Sequence, residues 1–258
     1  MVAKFQSTMN NLNLHSNGGT HRENIMTIMN KVTTKTLELH SGQVLNCMEQ
    51  IMTSGTRDEL GEHFKFILDI SSANKGYNAD IYAAIIEKVI GVYPYLSTRL
   101  VEFVDSYMRD LGSLSHDSPQ NYNQFCALMK LKETRKGSQA IIKNLQICGV
   151  LSLDIVMRIL TFLVYRIQNW SSNKEKAEKV EELVEHLYLF AMGSVDKLCE
   201  QSIWKQTLFP MILALSRLRK RTHGNCGISF KAHFRCMDVV RMQAMLAVRH
   251  VSTLNVKG

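Results

Sequence analysis

Along most of this chain the apolar residues recur at steps of three and four, with polar residues filling the positions between them. Ile25, Ile28 and Met29 form one such stripe, Leu37, Val44, Leu45, Met48 and Met52 a second, and Leu60, Phe64, Ile67 and Leu68 a third. Residues at that spacing share one face of an α-helix, so each stripe predicts one amphipathic helix. The pattern continues over 81–92, 96–111, 122–131, 140–147, 153–167, 180–192, 203–218 and 230–248. The breaks carry turn or capping residues: Ser-Gly-Thr at 54–56, Asn-Lys-Gly-Tyr-Asn at 74–78, Tyr-Pro-Tyr at 93–95, Ser-His-Asp-Ser-Pro at 115–119, Ser-Ser-Asn at 171–173 and His-Gly-Asn-Cys-Gly at 223–227. No alternating, strand-like segment competes, and the expectation is about ten or eleven helices with short connections.

Helices joined by short loops pack as antiparallel neighbours, and a long run of them stacks into an α-solenoid. The fold class expected is all-α, an α-solenoid of about five stacked antiparallel HEAT-like helix pairs. Positions 1–20 mix Asn, Ser, Gly and Thr with little periodicity and read as a flexible lead-in. Positions 21–250 read as one domain and 251–258 as a tail. Only three prolines, Pro94, Pro119 and Pro210, interrupt a composition rich in helix formers.

Charge and cysteine usage narrow the setting. The formal net charge of +8 suits a polyanionic partner, either nucleic acid or an acidic protein face. Six scattered cysteines lack the close spacing of a disulfide-framed secreted module, so a reducing, cytoplasmic setting is expected. The start shows no apolar stretch behind a basic end, and the longest apolar run, 208–215, is too short to span a bilayer. The expectation is a soluble protein without a membrane association.

The chain shows no glycine-rich phosphate loop, nucleophile elbow, paired-His zincin helix or Cys-x-x-Cys pair, so no enzyme activity and no cofactor are expected. His223-x-x-Cys226 followed by His233-x-x-Cys236 presents four potential zinc ligands, although the spacing mixes ligand types unusually. The plainer reading makes Cys236 a small core residue of a helix. Arg217, Arg219, Lys220 and Arg221, followed by Lys231, Arg235 and Arg241, meet a single acid, Asp238. Such an unbalanced run reads either as a solvated face or as one that neutralises phosphates.

Three segments, in order, resemble the middle domain of the eukaryotic translation initiation factor 4 gamma family. Met29-Asn30-Lys31-Val32-Thr33, then Leu37 and Gln43-Val44, resembles its Leu-Asn-Lys-Leu-Thr-Pro-x-x-Phe signature, with Thr34 in place of the proline and Leu37 in place of the phenylalanine. Asp80-Ile81-Tyr82-Ala83, after Tyr77-Asn78, resembles a helix start within the region 57–110. Arg135-Lys136-x-Ser138, Ile141-Ile142-x-x-Leu145 and Val150-Leu151-Ser152 resemble the basic helix and turn of the third repeat. Ile228-Ser229-x-Lys231-x-x-Phe234-Arg235-x-Met237-Asp238-Val239-Val240 resembles the closing signature, with Lys231 and His233 where the family usually has arginine. The resemblance covers about residues 23–245.

The resemblance implies a translation initiation scaffold that binds and stimulates a DEAD-box RNA helicase and contacts RNA. It assigns helicase binding to Met29, Asn30, Lys31, Val32, Leu37, Lys231, Phe234 and Arg235. RNA contact falls to Arg217, Arg219, Lys220 and Arg221, with Arg135 and Lys136 as a second pair. Tyr95-x-x-x-x-Leu100-Val101 also matches the docking pattern for a cap-binding protein, but Leu100 and Val101 read as buried stripe residues of a helix. The alternatives are a protein-only HEAT-like adaptor, a member of the same domain class linked to nonsense-mediated decay or poly(A), and a zinc-stabilised module.

Overall fold

The computed structural model describes residues 20–73, 76–114 and 121–255, with side chains described to Leu246. The expected lead-in at 1–19, part of the 74–78 turn, the Ser-His-Asp-Ser-Pro turn and positions 256–258 lie outside the described residues. Among the described residues all regular structure is helical, and ten are α-helices. They are α1 (His21–Lys31), α2 (Leu37–Ser54), α3 (Arg57–Ala73), α4 (Ala79–Val92), α5 (Ser97–Gly112), α6 (Tyr122–Ile147), α7 (Leu153–Trp170), α8 (Ala177–Leu198), α9 (Phe209–Arg221) and α10 (Phe230–Asn255). Short 3₁₀ turns at Thr34–Thr36, Pro94–Leu96 and Lys174–Lys176 lead into α2, α5 and α8.

Local chemistry sets the helix starts. Thr20 and Glu23 form a reciprocal capping box on α1, in which the Thr20 N–H donates to Glu23 Oε2 at 2.7 Å and the Glu23 N–H to Thr20 Oγ1 at 3.4 Å. Thr56 and Glu59 repeat it on α3 at 2.8 and 3.2 Å. Asn121 accepts the Gln124 N–H at 3.0 Å to open α6, and Ser229 accepts the Ala232 N–H at 3.1 Å to open α10. These side chains satisfy backbone donors that the first helical turn leaves without partners.

Each helix packs on the next but one along the whole series, from α1 on α3 to α8 on α10. Odd-numbered helices therefore contact odd and even contact even, and the two sets are joined by sequence neighbours such as α1–α2, α7–α8 and α9–α10 and by the packing of α3 on α6. The apolar stripes line a continuous core that includes Ile25, Met48, Phe64, Ile86, Leu100, Ile142, Leu160, Phe190, Trp204 and Cys236. Polar links follow the same steps. Lys88 pairs with Glu38 (α4–α2, 2.6 Å), Arg158 with Asp105 (α7–α5, 2.9 Å), and Arg166 donates to the Gly112 carbonyl (α7–α5, 2.6 Å).

Three elements differ from the periodicity. The segments 122–131 and 140–147 are one 26-residue helix, α6. The apolar stripe lapses between them because Gly137, Ser138 and Gln139 are buried there, so small and polar residues do the packing. At Gly137 the backbones of α6 and α3 nearly touch: a Cβ would sit 1.8 Å from the Ser72 carbonyl oxygen. The second difference is at 203–218, where Trp204–Leu208 forms a π-helical turn closed by the Phe209 N–H on the Trp204 carbonyl. Pro210 has no N–H to donate into that turn and starts α9 afresh. The third is α10, whose backbone stays helical to Asn255, past the boundary expected at 250.

Substituting Gly137→Ala should destabilise the fold by about 3 kcal/mol, because the clash is with backbone that cannot give way. Gly91→Ala, whose Cβ meets nothing within 4 Å, should raise stability by about 0.5 kcal/mol through helix propensity. Urea denaturation of the two variants beside the parent checks both.

Candidate functional site

The residues of the first signature, on the last turn of α1 and the segment leading into α2, separate by burial. Met29 and Val32 are core residues, and the Met29 carbonyl accepts from the buried Tyr82 hydroxyl at 3.4 Å. This corrects their assignment to helicase contact: neither side chain is presented to a partner. Leu37 is half-buried against the core. Asn30 and Lys31, at the last turn of α1, are exposed. The same helix geometry that sends Met29 inward turns its two successors outward.

At the far end, α10 lies along α8, and a row of α8 glutamates meets its cations. Lys231 Nζ lies 3.5 Å from Glu181 and 3.7 Å from Glu185. Arg235 spans both Glu185 oxygens at 3.2 Å and stacks over Tyr188 at 4.0 Å from the ring centroid. Ser229 donates to Glu181 at 2.5 Å. Lys231 and Arg235, both expected to bind the helicase, therefore also hold α10 on α8. Phe234 stands outward on the same helix, 56% exposed.

The expected RNA residues divide likewise. Arg217, Lys220 and Arg221 are exposed and form no ion pair with a described residue. Arg219 is engaged: its Nη1 donates to the Ile228 carbonyl at 2.9 Å and its guanidinium lies 3.7 Å over the Phe230 ring. Lys136 is exposed beside Glu133 at 3.1 Å. Arg135 is corrected outright, because its side chain is only 12% exposed and its Nε lies 2.6 Å from Glu182, itself 8% exposed.

That ion pair belongs to a buried polar network that the sequence did not reveal. The Tyr107 hydroxyl from α5 and His186 Nδ1 from α8 lie 3.0 Å apart, with both rings in the core. Burial, then Arg135 and Lys136, push the His186 pKa down to about 3, so the imidazole is neutral. Burial, reinforced by Glu182, raises the Tyr107 phenol well above its usual range. Ser194 adds a hydrogen bond to Gln146 at 3.1 Å. Each group is matched to a neighbour on another helix, which suits joining α5, α6 and α8 rather than chemistry on a substrate. The sole hint in the sequence was the spacing of Glu182 and His186 on one helix face.

The four possible zinc ligands do not converge, and among the described residues no group of three or more His, Cys, Asp or Glu is placed to hold a metal. Cys226 and Cys236 are buried, and burial raises the Cys236 thiol to about 12. His223 is exposed in the loop, and His233 sits beside the Phe234 ring. Of the cap-binding pattern, Leu100 is fully buried, while Val101 is exposed rather than buried as expected. A helical segment with its leucine in the core cannot offer that pattern to a partner. Among the described residues no helix is long and apolar enough to cross a membrane. No protein-family model matches the chain, and no curated protein matches it.

Arg135→Ala should destabilise the protein by about 3–5 kcal/mol, since it strands the Glu182 carboxylate without its counter-charge. Thermal and urea unfolding measure the loss. The His186 shift sets a pH dependence of known sign. Below the ordinary imidazole value of 6.5 the unfolded chain binds a proton that the folded chain refuses until about pH 3. Stability should therefore fall as pH drops through that window, by up to about 1.4 kcal/mol per pH unit from this group. Urea titrations across the window should show a shallower fall in His186→Gln.

Proposed function

We propose that the chain is a HEAT-like helical solenoid of the initiation-factor middle-domain kind. In this reading it is a non-catalytic cytoplasmic scaffold that binds and stimulates a DEAD-box RNA helicase and contacts RNA. The packing of each helix on the next but one is what such a solenoid requires, because each repeat then buries its apolar face on its neighbour. The observation that carries the reading is the sorting of the two end signatures. Asn30 and Lys31 on the first described helix and Phe234 on the last are exposed, while their partners in each motif pack or brace the fold. Two contact points borne on the first and the last described helices suit a two-lobed partner. A scaffold with higher affinity for one arrangement of the lobes shifts the helicase toward it and so stimulates ATP turnover.

The protein-only adaptor draws support from a separate feature, the start of α6. Tyr122, Phe125, Met129 and Leu131 are all exposed there, an apolar concentration suited to protein contact.

The test is the RNA-stimulated ATPase of a translation-initiation DEAD-box helicase with and without the protein. Phe234→Ala and the pair Asn30→Ala, Lys31→Ala should each lower stimulation at least several-fold while the melting temperature holds. Stimulation that persists undiminished in the combined variant would reject the two-ended contact. Absence of both binding and stimulation with the cognate helicase would favour the adaptor.

A further inference from the structure

Phe230 opens α10 with 66% of its surface exposed, although it is among the most apolar residues on the outside of the molecule. In the closing signature it occupies the position between Ser229 and Lys231, which the resemblance leaves unspecified. Its surroundings are particular. The Arg219 guanidinium lies 3.7 Å from the ring centroid and is itself fixed by donating to the Ile228 carbonyl at 2.9 Å. Arg219 is half-buried, so the cation and the ring hold one another in register. The end of α9 also carries Lys220 next to Arg219, and Arg217 and Arg221 about half a turn round the helix from it, all three exposed and without an ion pair to any described residue. The whole of α9 contains no acidic residue.

We propose that Phe230 is a stacking platform for an unpaired base, so that the RNA held by the end of α9 is single-stranded. The proposal rests on the RNA contact in the function proposed above and names the form of RNA that contact takes. An exposed aromatic plane backed by a guanidinium attracts the face of a base, and Lys220 next to Arg219, with Arg217 and Arg221 further round the helix end, supplies unpaired charge for the flanking phosphates. A duplex keeps its bases stacked inside, out of reach of the ring, and meets only the cations. Phe234, one turn further along α10, lies about 6 Å away along the helix axis and has His233 rather than a fixed cation beside it. The two neighbouring phenylalanines thus have separate tasks, Phe230 for RNA and Phe234 for the helicase.

Fluorescence anisotropy with a labelled unstructured oligouridine of about ten nucleotides, and with a blunt RNA duplex of the same length, tests this on the whole chain. Phe230→Ala should weaken single-strand binding roughly tenfold and leave duplex affinity and helicase stimulation unchanged. Phe230→Trp should keep single-strand affinity. Arg217→Ala, Lys220→Ala and Arg221→Ala combined should weaken both ligands and reduce the salt slope by roughly 2. Circular dichroism melts verify that each variant is folded.

The platform is overturned if Phe230→Ala leaves single-strand affinity intact, weakens duplex binding equally, or shows a loss that Phe230→Trp does not recover. It is also overturned if the loss falls on helicase stimulation instead, which would make Phe230 a protein anchor. In each case the triple variant still reports whether the cations bind RNA. If the intact chain binds neither oligonucleotide at low salt, the RNA contact itself fails and the platform with it.

Discussion

Helix α6 enters the core at Gly137, where its backbone lies against the carbonyl of Ser72 on α3 with no room for a side chain. That close approach sets the depth at which the rest of α6 runs. Below it, Ile141, Ile142 and Leu145 are fully buried where α6 packs on α3 and α4. Two residues before it, Arg135 reaches Glu182 on α8, and Tyr107 on α5 meets His186 on α8. A helix held further from α3 would leave these polar groups facing partners they could not reach. Burial without a partner is expensive for each of them.

The energetics divide between these buried groups and the surface. Apolar burial carries the fold, since the core runs through every described α-helix to Val239 on α10. Ion pairs such as Lys88–Glu38 and Arg158–Asp105 mark helix steps but sit in water, where such pairs add little. Arg135–Glu182 differs because both side chains are buried, so its worth lies in the large penalty for breaking it. The charges on the end of α9 belong to neither group. With no acidic neighbour on their helix, they retain their full attraction for a polyanion.

The proposed scaffold depends on this division. A body that biases a helicase must not deform when the partner pulls on it, or the binding energy goes into bending the scaffold rather than shifting the partner. The buried network joins α5, α6 and α8, and the α8 glutamates hold α10. Lys231 and Arg235 contribute by bracing the surface from which Phe234 projects.

Much of the fold was legible in the sequence because a helix that buries one face must repeat its apolar residues at helical spacing. The stripes through Phe64, Leu100 and Leu160 marked their helices for that reason. The middle of α6 was not legible, since it packs through glycine, serine and glutamine, which carry no apolar signal. The candidate site was readable only as residue types. A cation looks the same in sequence whether it faces solvent, as Arg217 does, or closes on a buried carboxylate, as Arg135 does. Met29 and Asn30 are adjacent in the chain, yet one is core and the other surface. The sequence by itself determined a succession of amphipathic helices from about residue 23 onward, with an excess of positive charge over 217–241. Tertiary structure alone decided which cations stay unpaired and which aromatics stay exposed, because those outcomes depend on partners contributed by helices distant in the chain.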